Sequence, residues 1–323
     1  MTIASSAPTR IDLAGGTIDI WPLYLFHDGA QTVNAAISLR AHATIDDSPD
    51  GRIHIHSTDT GQITEADHWT QLVRPGEMNL LARLLAYFQA EGVTLRTRAE
   101  SPAGAGIAGS SALNVAVCGL MARWKGLDTA AEDLLQIAMN VEAQTIACPT
   151  GVQDYRPAMY GGISAVELGV AGVRRVGLAV DPRALESRIV LAYTGAPRNS
   201  GTNNWEMVKR HLDGDRAVFD AFERIRDTAA AMRRAFERED WDEVGRQIAV
   251  EWDNRQRLAP GVTTPQIDEL IARAGRAGAT AAKVCGAGGG GCLFCYGPPE
   301  DRARIGEALP SGGARILEFH IEA

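Results

Sequence analysis

Two hydroxyls beside three glycines carry the first chemical signal. The segment Ser101-Pro-Ala-Gly-Ala-Gly-Ile-Ala-Gly-Ser-Ser-Ala112 follows a short alternating run, Thr94-Leu-Arg-Thr-Arg98. It precedes an apolar stripe of Leu113, Val117, Leu120, Met121 and Trp124, which has helical spacing. A strand, a glycine loop and a helix start together form an anion site. Unpaired backbone N–H groups and the helix dipole face outward there, and glycine admits a phosphate close to the main chain. Ser110 and Ser111 add hydroxyls able to bond a phosphate or ligate Mg²⁺. Gly104, Gly106 and Gly109 also satisfy G-x-G-x-x-G, the dinucleotide fingerprint. That reading fails, because the preceding strand alternates with arginines instead of running continuously apolar. Asp128, about 20 residues on, opens another helical pattern instead of ending a second strand. A Walker A loop fails too, since no Gly-Lys-Ser/Thr follows. The segment predicts phosphate binding of another kind.

Further candidates are charged or glycine-rich. Arg10 and Asp19 lie near opposite ends of a short element over residues 7–20. A basic group can hold a phosphoryl group or lower the pKa of a hydroxyl, and a carboxylate can bind sugar hydroxyls. In Cys148-Pro-Thr-Gly-Val-Gln-Asp154, Pro149 and Gly151 put Asp154 on a loop leaving a helix, where a carboxylate can project into a cleft or cap local N–H groups. Four consecutive glycines, 288–291, interrupt two apolar runs, which implies close backbone approach to a ligand or another loop. His54 and His56 share a strand face without a third ligand nearby, so a wet strand face is expected there. Cys292 and Cys295 form a lone C-x-x-C; on a strand their thiols face opposite sides, as buried structural cysteines do.

The elements that must position these residues follow from periodicity. Residues 32–39, 41–45 and 52–56 alternate, with Asp-Ser-Pro-Asp-Gly before the last run, the pattern of a β-meander. Helices are expected over 78–91 (ended by Gly92), 131–147, 215–239 and 241–258, the last two with their charges on outer faces. Residues 189–193 read as a strand, and the polar run 194–204 as a loop and candidate substrate lid. Its one cation, Arg198, is a candidate contact for a second phosphate.

At 323 residues the chain is long enough for two compact domains. It is 45% hydrophobic and 22% charged, and its net charge of −8 argues against a nucleic-acid partner. No apolar run approaches the ~18 residues of a membrane span, and the N-terminal residues lack a signal-peptide pattern. Five cysteines without a framework spacing suit a reducing cytoplasm.

Pro102-Ala-Gly-Ala-Gly-Ile-Ala-Gly-Ser-Ser-Ala112 resembles the central motif of the GHMP small-molecule kinases (galactokinase, homoserine kinase, mevalonate kinase, phosphomevalonate kinase). Pro8-x-Arg10-x-x-Leu13-x-Gly15-x-x-x-Asp19 resembles the first motif of that family, and Lys283-x-x-Gly-x-Gly-Gly-Gly-Gly291 the third. Gly151-Val-Gln-Asp154 followed by Gly161-Gly162 resembles the segment whose Asp contacts the acceptor hydroxyl. Two departures matter: Asp12 stands where galactokinases have Asn, and Gly16-Thr17 where they have Glu-His. These departures, with Leu258-Ala-Pro-Gly-Val-Thr-Thr-Pro-Gln-Ile-Asp-Glu-Leu270, are similar to the heptose-7-phosphate and fucose kinase branch.

The resemblance implies an α+β chain with an N-terminal domain like domain 2 of ribosomal protein S5 (residues 1–185) and a ferredoxin-like C-terminal domain (residues 186–323). It implies ATP held by Pro102, Gly104, Gly106, Ile107, Ala108, Gly109, Ser110, Ser111 and Ala112, and Mg²⁺ held by Ser111 and Glu142. Arg10 and Asp154 would be catalytic, with Asp19, Gly16, Thr17, Arg198, Gly288 and Gly289 at the sugar-type acceptor. The reaction implied is γ-phosphoryl transfer to a hydroxyl of a sugar or sugar phosphate. An isoprenoid or amino-alcohol kinase, a decarboxylase of the same fold and a non-catalytic ligand-binding relative stay open. Oligomeric state is not readable.

Overall fold

The computed structural model describes residues 2–73, 79–197 and 200–322. Arg198 lies outside them. The first half is built on one long hairpin, β1 (Ile3–Ala14) and β2 (Gln31–Asp47), paired antiparallel almost throughout. On its other edge β2 serves two partners: residues 31–35 pair with β6 (Ile163–Gly169) and residues 41–47 with β5 (Val93–Ala99). β3 (Ile53–Ser57) runs parallel to β5, β4 (Gln62–Ala66) closes that side, and β7 (Gly172–Gly177) the other. The expected meander is therefore corrected: β5 inserts between β2 and β3. The gap left on β2 between β6 and β5 is filled by the C-terminal tail, where Ser38 N–H donates to His320 O at 2.8 Å and Glu322 N–H to Ala36 O at 3.0 Å.

Helices α1 (Leu80–Tyr87), α2 (Gly109–Trp124), α3 (Ala131–Ile146) and α4 (Tyr155–Tyr160) pack together, with α2 against β1 and β2. The first is shorter than its apolar run implies: Asn79 caps Ala82 N–H at 3.1 Å, and Gln89, with φ at 48°, turns the chain out. α5 (Pro182–Glu186) leads into the second half.

There β8 (Ile189–Tyr193), β9 (Ala281–Val284), β10 (Cys292–Tyr296) and β11 (Arg315–Leu317) form an antiparallel sheet in the order β11-β8-β10-β9. This is the strand order of a split β-α-β-β-α-β unit. Four helices lie between β8 and β9: α6 (Ser200–Leu212), α7 (Arg216–Glu237), α8 (Trp241–Arg255) and α9 (Pro265–Arg276). α10 (Arg302–Ala308) packs beside α9. The end of the expected lid, residues 200–204, is thus the start of helix α6, which Met207 and Val208 anchor in the core. Along β10, Leu293 and Cys295 enter one hydrophobic cluster, while Cys292 and Phe294 enter another. Among the described residues no helix is long and apolar enough to cross a membrane.

Candidate active site

The phosphate loop is fastened before it can bind anything. Gly104 and Gly106 take φ values of 67° and 76°, and Ala108 one of 63°, so the chain turns sharply into α2. The loop's carbonyls are tied down from both halves of the molecule: Arg10 N–H donates to Ile107 O at 3.0 Å and Cys292 N–H to Ala105 O at 2.6 Å. The N–H groups of the first turn of α2 remain the natural donors for an anion.

A cavity of 340 Å³ opens over this loop. Pro102, Gly104, Gly106, Ala108, Gly109, Ser110 and Ser111 line it, together with Glu142 and Asp154. Ile107 and Ala112 are buried beneath it. Ser57, at the end of β3, Asp59 and Thr60, from the turn that follows, and Asn204, from α6, also line it. Asn204 ends the segment expected as a lid, whereas nothing in the spacing of Ser57, Asp59 and Thr60 signalled their place here. The parallel pairing of Ser57 with Thr97 is what carries the turn to the phosphate loop.

Glu142, on α3, lies below the two serines. Ser110 Oγ donates to its Oε1 at 2.7 Å, Ser111 Oγ to its Oε2 at 3.1 Å, and Tyr155 O–H to Oε2 at 2.7 Å. Burial pushes the Glu142 carboxyl up, and these hydroxyl donors oppose that shift. Among the described residues no group of three or more His, Cys, Asp or Glu is placed to hold a metal ion. His54 instead faces Asp50 and Glu65, at 3.0 and 3.4 Å. One carboxylate with two hydroxyls is nevertheless an all-oxygen set that fits Mg²⁺, which keeps waters and phosphate oxygens as its other ligands.

Arg10 and Asp154 meet across 144 residues of sequence. Arg10 Nε and Nη2 both donate to Asp154 Oδ1, at 2.8 and 2.6 Å, leaving Oδ2 available to a ligand. Arg10 Nη1 donates to Gly106 O and Cys285 O, so the guanidinium is oriented on every side. Burial works against its charge, but Asp154 and Asp12 outweigh it and the Arg10 pKa is raised. A permanently charged donor thus stands between the glycine loop and Asp154.

The other expected acceptor residues sit deeper. Asp19 is 1% exposed and accepts the Gln153 N–H at 2.9 Å, so it buttresses the segment carrying Asp154. Ile20 pairs with Gly151 in an isolated bridge. Thr17 is buried with φ at 77°, and Gly16 packs on Asp12 and Arg255. Gly288 and Gly289 do not line the cavity: Gly289 N–H donates to Val262 O at 2.9 Å, and a Cβ on Gly288 would lie 2.2 Å from that oxygen. Of the two explanations for the glycine run, loop-on-loop contact holds for this pair.

Two charges on α8 also correct the sequence reading. Glu251 and Arg255 point inward, fully buried, with Asp12 and Lys283. Arg255 Nη1 lies 3.4 Å and Lys283 Nζ 3.5 Å from Asp12 Oδ2, and Glu251 Oε1 accepts Gly15 N–H at 3.1 Å. Their helical spacing resembled a solvated face, because periodicity does not distinguish a charge in water from one with a buried partner.

One cavity brings together a glycine loop feeding a helix, a serine-bound glutamate and Asp154, whose partner Arg10 is also bonded to that loop, an arrangement suited to phosphoryl transfer. Comparison with known proteins gives its kind. Residues 78–162 match the GHMP kinases N terminal domain, and residues 232–315 the GHMP kinases C terminal domain, together over half the chain. The chain belongs to the GHMP kinase family and has its two-domain fold. It is 27% identical to the D-glycero-alpha-D-manno-heptose 7-phosphate kinase of Campylobacter jejuni, over 98% of this chain and 96% of that one. It is 25% identical to the mevalonate kinase of Thermococcus sibiricus, over 98% and 96%. Its fold superposes on the crystal structure of a D-glycero-D-manno-heptose 1-phosphate kinase from Bacteroides thetaiotaomicron with a TM-score of 0.79, at 24% identity and covering 100% and 96%.

Proposed function

We propose that this kinase transfers the γ-phosphoryl group of Mg-ATP to a hydroxyl of a sugar or sugar phosphate of the heptose 7-phosphate or fucose type, at the anomeric position. The observation that supports it most is the shared cavity: the phosphate loop and Asp154 line the same space, and Arg10 joins them. In-line transfer demands that donor and acceptor groups be held together, with charge stabilised between them. In this reading the α2 N–H groups and Ser110 bind the nucleotide phosphates, and Ser111 and Glu142 hold Mg²⁺. The ion, when bound, neutralises charge on the phosphate oxygens. Arg10 stabilises the transferring group, and Asp154 Oδ2 orients or deprotonates the acceptor hydroxyl. Asp19, Gly16 and Thr17 shape the acceptor end behind it. Arg198 would meet a second phosphate. The division at residue 185, small-molecule partners and a cytoplasmic location belong to the same reading.

Heptose 7-phosphate supports the branch through the Campylobacter relative, which is named for that activity. The test is acceptor-dependent ADP release from Mg-ATP across heptose 7-phosphate, fucose, galactose, arabinose, mannose, glucuronate, mevalonate and homoserine, with CO₂ measured in parallel. A sugar acceptor should give turnover. Asp154→Asn should lower kcat for it by ~10²–10⁴ with little change in ATP affinity. Near wild-type turnover in that variant would remove Asp154 from the chemistry, and turnover with mevalonate alone would overturn the sugar assignment.

A further inference from the structure

Tyr155 follows the acceptor carboxylate directly, yet its hydroxyl faces the other centre. It is 0% exposed, donates to Glu142 Oε2 at 2.7 Å, and has Thr150 Oγ1 3.2 Å away. Both oxygens of Glu142 are thereby pinned, Oε1 by Ser110 and Oε2 by Tyr155 and Ser111. The last torsion of a glutamate is broad and weakly held by itself. With Tyr155 gone, only the 3.1 Å bond from Ser111 would hold Oε2. A hydroxyl has one proton and two lone pairs; with its proton on Glu142, Ser111 keeps its lone pairs for a cation. The orientation of the carboxylate therefore decides whether Ser111 presents oxygen or hydrogen to the cavity.

We propose that Tyr155 is a positioning residue for the magnesium site, fixing the Glu142 carboxylate so that Glu142 and Ser111 together present an oxygen-only face. The inference rests on the assignment of Ser111 and Glu142 to Mg²⁺. Its consequence is mechanical. Two adjacent residues secure the two centres, Asp154 through Arg10 and Tyr155 through Glu142, so displacement of the acceptor segment also releases the metal carboxylate.

The test is ADP binding to the full-length protein by titration calorimetry, in Mg²⁺ and in EDTA, for wild type, Tyr155→Phe and Glu142→Gln. Tyr155→Phe keeps the buried ring and removes only the hydroxyl. Mg²⁺ should strengthen ADP binding to wild type. Tyr155→Phe should lose about 10–100-fold of that enhancement, with EDTA affinity unchanged and the KM for Mg²⁺ raised more than kcat is lowered. An enhancement lost in Glu142→Gln but kept in Tyr155→Phe overturns the inference alone. An equal loss with and without Mg²⁺ also overturns it, since that is what a packing role gives. No enhancement in wild type overturns the metal assignment and the inference with it. Should Tyr155→Phe not fold, Tyr155→Met removes the same hydroxyl while an apolar side chain still fills the buried site. The same selective loss is expected, and an unchanged enhancement overturns the proposal.

Discussion

Asp19 is a carboxylate surrounded by reasons not to ionise. Burial, then the Asp154 charge, push it up to about 7, against the Gln153 N–H and Arg10, with Asp12 adding to the rise. An unfolded Asp titrates near ~3.9. Between those values the folded protein holds a proton that the unfolded chain has released, so stability falls as pH rises through that window. Asp19→Asn removes this dependence while keeping an oxygen for Gln153. Its denaturation midpoint should exceed that of wild type by a margin growing from pH 5 to pH 7, at no more than about 1.4 kcal/mol per pH unit. Glu142 and Glu251, pushed in the same direction, are present in both proteins and cancel in the difference. A pH-independent margin would show that Asp19 titrates as an ordinary carboxyl. The neighbouring departures from galactokinases also find their cause at this scale. Asp12 pairs with Arg255 and Lys283, and a Cβ on Gly16 would fall 2.1 Å from Asp12 Oδ2 and 2.5 Å from Arg255 Nη1, so these side chains would have to shift to admit one. A glutamate in place of Gly16 would displace this cluster.

Among the elements, the glycine run is the sharpest case of local sequence serving a distant loop. Gly291 takes φ at 78°, and a Cβ on it would lie 2.6 Å from Ala105 O, inside the phosphate loop. Gly291→Ala should therefore cost about 1–3 kcal/mol and raise the KM for ATP, because strain on β10 is relayed to Ala105 through the Cys292 N–H bond. Gly119, in the middle of α2 with nothing within 4 Å, is the control: Gly119→Ala should stabilise by ~0.5–1 kcal/mol. Denaturant midpoints and ATP titrations of the pair decide it, and equal effects at both positions would deny the contact its role. The same contrast marks what was legible in the sequence. The helices with apolar stripes and the glycine-serine loop could be read, because 3.6-residue spacing and turn chemistry are local. β2 read as two strands because the hairpin register slips where Pro8 faces Arg40 but Thr9 faces Ile37, which resets the alternation. The start of α6 read as a loop because Gly201, Thr202, Asn203 and Asn204 form helices poorly, and only tertiary burial of Met207 and Val208 overrides that. The Glu142–Tyr155 bond and the buried α8 charges were invisible for a similar reason: each needs a partner far away in sequence.

At the scale of the molecule, the first sheet is completed by the last residues of the second half. Ile321 bridges Ile37, Gly162 N–H donates to Glu322 O at 3.0 Å, and Arg40 pairs with Glu322. Glu186 holds the tail from the other side, accepting Ile321 N–H at 3.0 Å, and Phe319 and Ile321 are buried. Until the tail docks, Ala36 O and Ser38 N–H lack their partners in the middle of a sheet, so the N-terminal half cannot reach full stability alone. Removing residues 319–323 strips those groups of their bonds, at ~1–3 kcal/mol each, and takes away the burial of Phe319 and Ile321, at ~1.5–3 kcal/mol each. The truncated protein should unfold at markedly lower denaturant. Because no residue of the tail lines the cavity, activity per folded molecule at low temperature should stay near wild type. Urea unfolding followed by fluorescence, with activity measured on the same samples, separates the two. An unchanged midpoint would mean that solvent satisfies residues 36–38 as well as the tail does. A fall in activity beyond the loss of folded protein would mean that closing the sheet also sets the geometry of Arg10, which lies on the strand paired with Ala36.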